Sequence, residues 1–197
     1  MQMATSATPS GAEPVDTLSA SGSFTGKVRH IKIANAYSTS IFYGDFVKLV
    51  SSGTVEKAAV TTAVVAGTVG IFVGCSYTDP TTKQPTYSQY FPASTAADDI
   101  MAYVVDDPKV LFQMQGDGSI AQTALGNNIS AISTAGSTSI GRSRNALDAS
   151  SAATTNTLPL RIVDFVDGPS SAVGDSFTDC IVTWLPLSHA YETKLGV

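Results

Sequence analysis

The chain has 197 residues and a formal net charge of -5, and only 14% of its residues are charged, against about a quarter in ordinary globular domains. The negative balance argues against a nucleic-acid-binding protein, because such proteins need a cationic face to displace counterions. No stretch approaches the roughly 18 uncharged apolar residues of a membrane-spanning helix, so we expect no membrane partner. Small neutral residues replace the missing charge. We interpret them as surface that a partner covers, since interface cores are depleted of charge; a chain with many β turns and no special partner is the alternative.

Residues 1–26 form a segment rich in Ser, Thr, Ala, Pro and Gly, without a sustained hydrophobic period. Such a segment cannot offset its ordering entropy alone and is typical of an arm that orders on a partner. We therefore predict an extended N-terminal arm over 1–26 and a body over 27–197.

The stretch Ile41–Ala58 predicts a hairpin. Val47 and Leu49 share one face with Lys48 on the other, which is the period of a half-buried strand. Ser51, Ser52 and Gly53 supply the turn, because glycine can take the positive φ of a short hairpin loop.

Further strands are predicted along the rest of the body. Two of them are apolar on both faces and are therefore expected to be central. The predicted segments are Lys27–Ile33, Val69–Tyr77 and Ile100–Val105 (both central), Tyr87–Phe91, Val110–Met114, Ser119–Gln122 after a Gly116–Gly118 turn, Leu158–Val163 and Thr178–Leu185.

The region 126–157 is crowded with Gly, Asn, Ser and Thr and predicts a loop-rich insertion with weak strands around Ile140 and Ala146. A single helical turn is expected at Thr123–Leu125. With about nine to eleven strands, the chain is predicted to be all-β, a single β-barrel or β-sandwich body of short antiparallel strands with an extended N-terminal arm.

Residues that could carry chemistry are few. The two histidines, His30 and His189, lie at opposite ends of the chain without short ligand spacings, so no metal site is predicted. The pairs Asp98-Asp99 and Asp106-Asp107 are interpreted as strand terminators that bond to turn amides, because neighbours on a strand point to opposite faces. No catalytic residue and no cofactor are predicted, and the chain is expected not to be an enzyme.

The two cysteines, Cys75 and Cys180, each lie in an apolar strand-like run. Two cysteines cannot form a disulfide framework, so free buried thiols are expected, with a single bridge possible if the two strands are neighbours. Arg142 and Arg144 form a compact basic cluster among Gly and Ser. The aromatic residues could line a sugar platform but are more often core residues or cross-strand pairs; they are Phe42, Tyr43, Tyr87, Tyr90, Tyr103, Trp184 and Tyr191.

Several turn and strand motifs resemble those of small structural proteins of tailed bacteriophages, the capsid decoration or cement proteins. The similarity covers roughly residues 30 to 190, and its motifs are Ala34-Asn-Ala-Tyr37, Ile41-Phe-Tyr-Gly-Asp45, Gly53-Thr-Val-Glu-Lys57, Gly70-Ile-Phe-Val-Gly74, Tyr77-Thr-Asp-Pro80 and Tyr103-Val-Val-Asp-Asp-Pro108. The resemblance implies a protein made in the host cytoplasm that sits on the exterior of the virion head. It also implies that the protein bridges subunits of the major capsid protein and clusters at local symmetry axes.

The predicted function is therefore a non-enzymatic virion protein that stabilises the capsid, with the major capsid protein and copies of itself (a trimer, or a dimer) as partners. The predicted interface residues are Leu18, Phe24, Arg142, Arg144 and Tyr191. The alternative is a receptor- or carbohydrate-binding β module of a virion or cell surface. A hydrolase on a β scaffold would require two facing carboxylates in a cleft.

Overall fold

A computed structural model describes residues 6–18, 26–61, 65, 67–186 and 188–193. Thirteen strands are found there: β1 Glu13–Thr17, β2 Arg29–Lys32, β3 Phe46–Leu49, β4 Val55–Lys57, β5 Thr68–Thr78, β6 Pro85–Ser88, β7 Met101–Val105, β8 Val110–Gln115, β9 Asn128–Ile129, β10 Ala131–Ile132, β11 Ala146–Leu147, β12 Leu160–Phe165 and β13 Asp179–Trp184. The helices of the described residues are three-residue 3₁₀ turns at Gln122–Ala124, Ala149–Ser151 and Ala190–Glu192.

The strands form two main antiparallel sheets. Sheet A has the order β1-β8-β13-β12-β9, and sheet B has the order β2-β7-β5-β3-β4 with β6 paired to β5. A two-stranded ribbon, β10-β11, completes the set. Since the two sheets pack face to face, the all-β prediction is confirmed, and of its two architectures the structure has the β-sandwich body.

Aromatic side chains from both sheets meet in the space between them. Phe46 of sheet B lies edge-on to Phe112 and Trp184 of sheet A, with ring centroids 5.9 and 5.2 Å apart. Such pairs add about 0.5–1.5 kcal/mol each to the free energy gained by burying their area. These rings form the centre of the inter-sheet core and hold the two sheets together.

A second core covers the outer face of sheet B. Val47, Phe72 and Val104 are fully buried there under Ile41 and Phe91, which belong to long loops and pair with each other through backbone hydrogen bonds. The central strands β5 and β7 of sheet B are therefore buried on both faces, whereas β2 and β6 remain largely exposed. This explains why β5 and β7 read as apolar on both sides, and the prediction that these strands are central is confirmed.

Two local predictions are confirmed in detail. β3 and β4 form an antiparallel hairpin, and Gly53 takes a φ of 74° in its turn. In β8, Val110, Phe112 and Met114 are buried while the intervening residues are partly exposed. In β8, period-two alternation thus identified the buried face.

Other local predictions are wrong. Ser119–Gln122 is not a return strand, because both sides of β8 are taken by β1 and β13. The backbone instead turns toward β13, where Ile120 N donates to Thr178 Oγ1 at 3.0 Å. Ile140 lies in a turn rather than a strand, whereas the strand predicted around Ala146 is present as β11. The return strand predicted at Tyr87–Phe91 begins earlier, as β6.

The N-terminal segment contributes to the body sheet. Its residues Glu13–Thr17 form β1, which pairs with β8 at the edge of sheet A. Cys75 and Cys180 are free and buried, as predicted. They lie in different cores, on β5 of sheet B and β13 of sheet A, so their strands are not neighbours and the bridged alternative is ruled out.

Candidate contact surface

Strand β1 is an exposed edge of the sandwich. In the described ranges, no strand pairs with its outer side. Pro14 lacks an amide hydrogen, and the register with β8 shifts between Pro14 and Asp16, so the edge is poorly suited to adding another strand. Val15 is 43% exposed. A partner at this edge would therefore meet side chains rather than the β1 backbone.

One group of predicted residues lies at the start of β1. Arg142 forms an ion pair with Glu13 and stacks over the ring of Tyr43, 5.2 Å from its centroid. Arg144 is exposed and forms no ion pair within the described part of the chain. Arg142 is therefore held in place, while Arg144 is available to a partner.

A surface groove of about 380 Å³ runs between this basic cluster and the N-terminal segment. It is lined by residues 7–10 on one side and by Ile140, Arg142 and Arg144 on the other. Ile140 is 60% exposed. The groove thus brings together the two regions that the sequence predicts as contact regions, the arm and the loop-rich insertion.

The other group lies at the end of β1. The amide of Leu18 donates to the carbonyl of Lys109 at 2.8 Å, and Lys109 Nζ lies 2.9 Å from the carboxylate of Glu192. Tyr191, which precedes Glu192 in the sequence, donates a hydrogen bond from its hydroxyl to Asp106 Oδ2 at 2.9 Å. Leu18 is 50% exposed and Tyr191 is 47% exposed. Two residues that bond to the β7-β8 turn therefore have large side chains that are partly accessible to solvent.

The polar side chains beneath Tyr191 are tightly paired. Arg29 donates to Asp106 and also lies over the Tyr191 ring, 5.6 Å from its centroid. Burial, together with the hydrogen bond to the Asp106 carboxylate, raises the pKa of Tyr191. The hydroxyl is therefore a fixed donor, and the ring is presented in one orientation.

We call the two groups together the β1 surface: Leu18 and Tyr191 at one end, and Ile140, Arg142 and Arg144 at the other. The ends of β1 are about 13 Å apart, at roughly 3.3 Å per residue. The structure therefore places Leu18 and Tyr191 near one end of β1 and Arg142 and Arg144 near the other, and does not merge them into one cluster. Phe24, the remaining predicted contact residue, lies outside the described residues.

The aspartate side chains that could carry out chemistry form hydrogen bonds and ion pairs within the fold. Where the chain is described, no three His, Cys, Asp or Glu side chains are grouped so that they could hold a metal ion. Asp107 bonds to the Lys109 amide, which is the predicted turn role, but Asp106 binds Arg29 and Tyr191 instead. Asp99 accepts from the Thr78 backbone and hydroxyl at 3.1 and 2.6 Å.

The two histidines differ in burial. His30 is exposed on β2 and packs against Tyr103, with ring centroids 4.5 Å apart. His189 is completely buried beside Trp184. Burial lowers the pKa of His189, so the neutral imidazole is the form that the fold accommodates.

Most aromatic side chains pack on one another, as the sequence favours. Phe42 stacks on Tyr90 with ring centroids 5.4 Å apart, and Tyr37 stacks on Phe91. Tyr87 on β6 differs from these residues, because it is 76% exposed.

No known family model, curated protein or solved structure matches the chain. Within the described ranges, none of the helices has the length and apolar character needed to cross a membrane.

Three residues of this region were not predicted. Glu13 fixes Arg142 across 129 positions of sequence, and Lys109 joins Leu18 to the C-terminal turn. No local pattern signals either contact. Ile140 does carry a signal, because it is an isolated large apolar residue among Gly and Ser, but that pattern predicts a strand residue.

Proposed function

We propose that this chain is a non-enzymatic decoration protein of a bacteriophage head, which binds the exterior of the capsid and bridges subunits of the major capsid protein. The observation that carries the proposal is the β1 surface. At one end of a blunted edge strand an ion pair holds Arg142 beside the exposed side chains of Ile140 and Arg144, and at the other end a hydrogen bond holds Tyr191 near the exposed side chain of Leu18. This is the arrangement expected where a rigid module docks by its side chains.

Composition and topology support the same proposal. A surface poor in charge is suited to being covered, and a sandwich with a rigid double core can be held between neighbouring subunits without deforming. Two contact groups about 13 Å apart along β1 can engage two different neighbours. Each weak contact is then reinforced by the other through effective concentration.

The test uses capsids assembled without the protein. We expect added wild-type protein to appear in electron micrographs as regular external density and to raise the temperature at which the heads rupture. Leu18→Ala with Tyr191→Ala, and separately Ile140→Ala with Arg144→Ala, should each weaken binding at least tenfold. Tyr87→Ala, on β6 of sheet B, is the matched control because it removes an exposed aromatic ring away from β1.

Point variants are preferable to deletion of residues 1–26. That deletion would remove β1 and uncover the edge of β8, so loss of binding could reflect a damaged sheet. Binding by both double variants that equals wild-type binding would contradict the proposal.

The alternative, a carbohydrate-binding module, has one observation in its favour. The Tyr87 ring is the most exposed large apolar side chain among the described residues, and an exposed ring can stack on a sugar. Binding on a glycan array that disappears in Tyr87→Ala, with no binding to capsids, would favour this alternative.

A further inference from the structure

A lysine amine and an asparagine carboxamide meet on one buried carboxylate. Asp45 is fully buried just before β3. Its Oδ2 lies 2.8 Å from Lys57 Nζ, and its Oδ1 accepts from Asn145 Nδ2 at 3.1 Å. Since both groups bond to the two oxygens of a single carboxylate, the amine and the carboxamide are both held beside Asp45.

The remaining contacts fix this carboxylate from other directions. Ser143 Oγ donates to Oδ1 at 2.6 Å, and the amide of Phe42 donates to Oδ2 at 2.9 Å. The Lys57 amine also lies 5.8 Å from the centroid of the Phe42 ring. Asp45 can therefore exchange protons with its two neighbours without moving.

The carboxamide is held for attack at its carbon. Asn145 is 1% exposed, and its Oδ1 accepts the backbone amide of Thr134 at 2.9 Å. A backbone donor at this oxygen stabilises the negative charge that develops when an amine attacks the carbonyl carbon. The Lys57 side chain is only 15% exposed, so water has little access as a competing nucleophile.

Stability alone is a weak explanation for this cluster. A buried ion pair contributes little net free energy, because removing both charges from water offsets their attraction. Here a mostly buried cation and a buried carboxamide both bond to one buried carboxylate. Close positioning of an amine and a carbonyl in a dry site is what lowers the barrier to their reaction.

We propose that Lys57 and Asn145 form an intramolecular amide bond, with Asp45 as the proton-transfer residue. Lys57 Nζ gives one proton to Asp45, and the neutral amine attacks Cγ of Asn145 to form a new C–N bond. Asp45 then moves a proton to Nδ2 and accepts one from Nζ. The Cγ–Nδ2 bond breaks and ammonia leaves. The step is an exchange of one amide for another, so no oxidant, reductant or cofactor takes part.

The bond would staple two distant parts of the sandwich. Lys57 ends β4 at the edge of sheet B, whereas Asn145 directly precedes β11 in the loop-rich insertion. A covalent link between residues so distant in sequence restricts the unfolded chain, and longer closed loops give larger effects. It would also keep the loop that carries Ile140 and Arg144 attached when the sheets are pulled apart, although the inference does not depend on any role in capsid binding.

The experiment is the intact mass of the full chain under denaturing, reducing conditions. We expect the mass to be lower than that of the sequence by one ammonia molecule, after allowing for removal of Met1. Protease digestion should release one branched peptide that contains Lys57 and Asn145. A wild-type chain at the full sequence mass after prolonged incubation of the folded protein would overturn the proposal, and so would a branch at another pair of residues.

Variants separate this reaction from a purely structural network. Lys57→Arg keeps the positive charge beside Asp45 but is a far poorer nucleophile, so it should show the full mass and a lower Tm. Asn145→Asp should lose water in place of ammonia, which no ion-pair network would produce. Lys48→Arg, on the neighbouring strand β3, is the control that should retain the link. An unlinked Lys48→Arg chain, or a linked Lys57→Arg chain, would contradict the assignment.

Discussion

Arg142 forms an ion pair with Glu13, which attaches the loop-rich insertion to the edge strand β1. Both side chains are more than a third exposed, so the pair should contribute only about 0.2–1 kcal/mol to the free energy of unfolding. We expect Glu13→Ala and Arg142→Ala each to lower stability by no more than this amount, with a double-mutant cycle giving the coupling. The measurement is urea unfolding at low and high salt.

The control for this cycle is the ion pair of Lys109 and Glu192, whose side chains are 54% and 22% exposed. A coupling between Glu13 and Arg142 of several kcal/mol would show that the loop and β1 fold as one unit through this contact.

Gly70 lies where β5 passes close to the chain that leaves β7. A Cβ atom added at Gly70 would lie 2.1 Å from the carbonyl oxygen of Val105. Because the obstacle is backbone, we expect Gly70→Ala to cost roughly 3 kcal/mol, at the upper end of overpacking effects. Gly168→Ala is the matched control, since nothing lies within 4 Å of its added Cβ. Thermal unfolding of both variants decides the point, and equal Tm values would contradict this explanation.

The buried imidazole of His189 should make the C-terminal turn sensitive to acid. Burial lowers its pKa below the ordinary 6.5, an effect partly opposed by the Val69 carbonyl and by nearby carboxylates such as Glu192. As the pH falls, His189 therefore binds a proton in the unfolded chain at a higher pH than it does in the folded chain. The free energy of unfolding is highest above the ordinary pKa and decreases as the pH falls below it. We expect His189→Gln to flatten the dependence of unfolding free energy on pH between 7 and 5.

His30→Gln serves as the control for this titration, because His30 is exposed on β2. If the slope is the same in wild-type and His189→Gln chains, another group is responsible for the acid sensitivity.

Asp179, at the start of β13, should be destabilising near neutral pH. Burial raises its pKa, and the charge of Glu13 adds to the shift, while a hydrogen bond with Gln115 opposes it. A carboxyl group with a raised pKa in the folded state favours folding when protonated, and this contribution is lost as the pH rises through its ordinary value of 3.8 and above. We expect Asp179→Asn to have a higher Tm than wild type at pH 7 and about the same Tm near pH 3.

The exposed Asp167 provides the comparison. A rise in Tm that is as large for Asp167→Asn would mean that the effect comes from net charge and not from the environment of Asp179.

The two thiols should be unreactive in the folded chain. Burial raises the pKa of Cys75 and of Cys180 to about 12, so almost no thiolate is present at neutral pH. We expect a thiol-reactive dye to label neither residue in the native protein and both after denaturation. Rapid labelling of one cysteine before unfolding would show that its core opens locally.

The fold could be predicted where local pattern and burial agree. Alternation in β8 and the Gly53 turn of the β3-β4 hairpin identified strands because one face of each meets a core. The prediction of a return strand at Ser119–Gln122 is wrong for a non-local reason. A glycine turn after a strand indicates a hairpin only when an edge of that strand is free to pair with the returning chain. Here β13 occupies that edge from more than 60 residues away in sequence.

The contact surface was predictable only in part. Leu18 and Arg144 are exposed side chains in segments of unusual composition, which is a signal that sequence carries. The partners that orient them, Glu13 and Lys109, are ordinary charged residues whose role follows from pairing across the sandwich. The Asp45 network was missed for the same reason, since Lys57 and Asn145 come together only once the insertion packs on the sheet.

The β3-β4 turn is exposed at residues 51–53, and no atom lies within 4 Å of a Cβ atom added at Gly53. A foreign peptide spliced into Ser51–Thr54 would extend outward without disturbing either core or the β1 surface. If the chain does coat phage heads, this loop is where an antigen or affinity tag could be displayed in many copies at regular spacing.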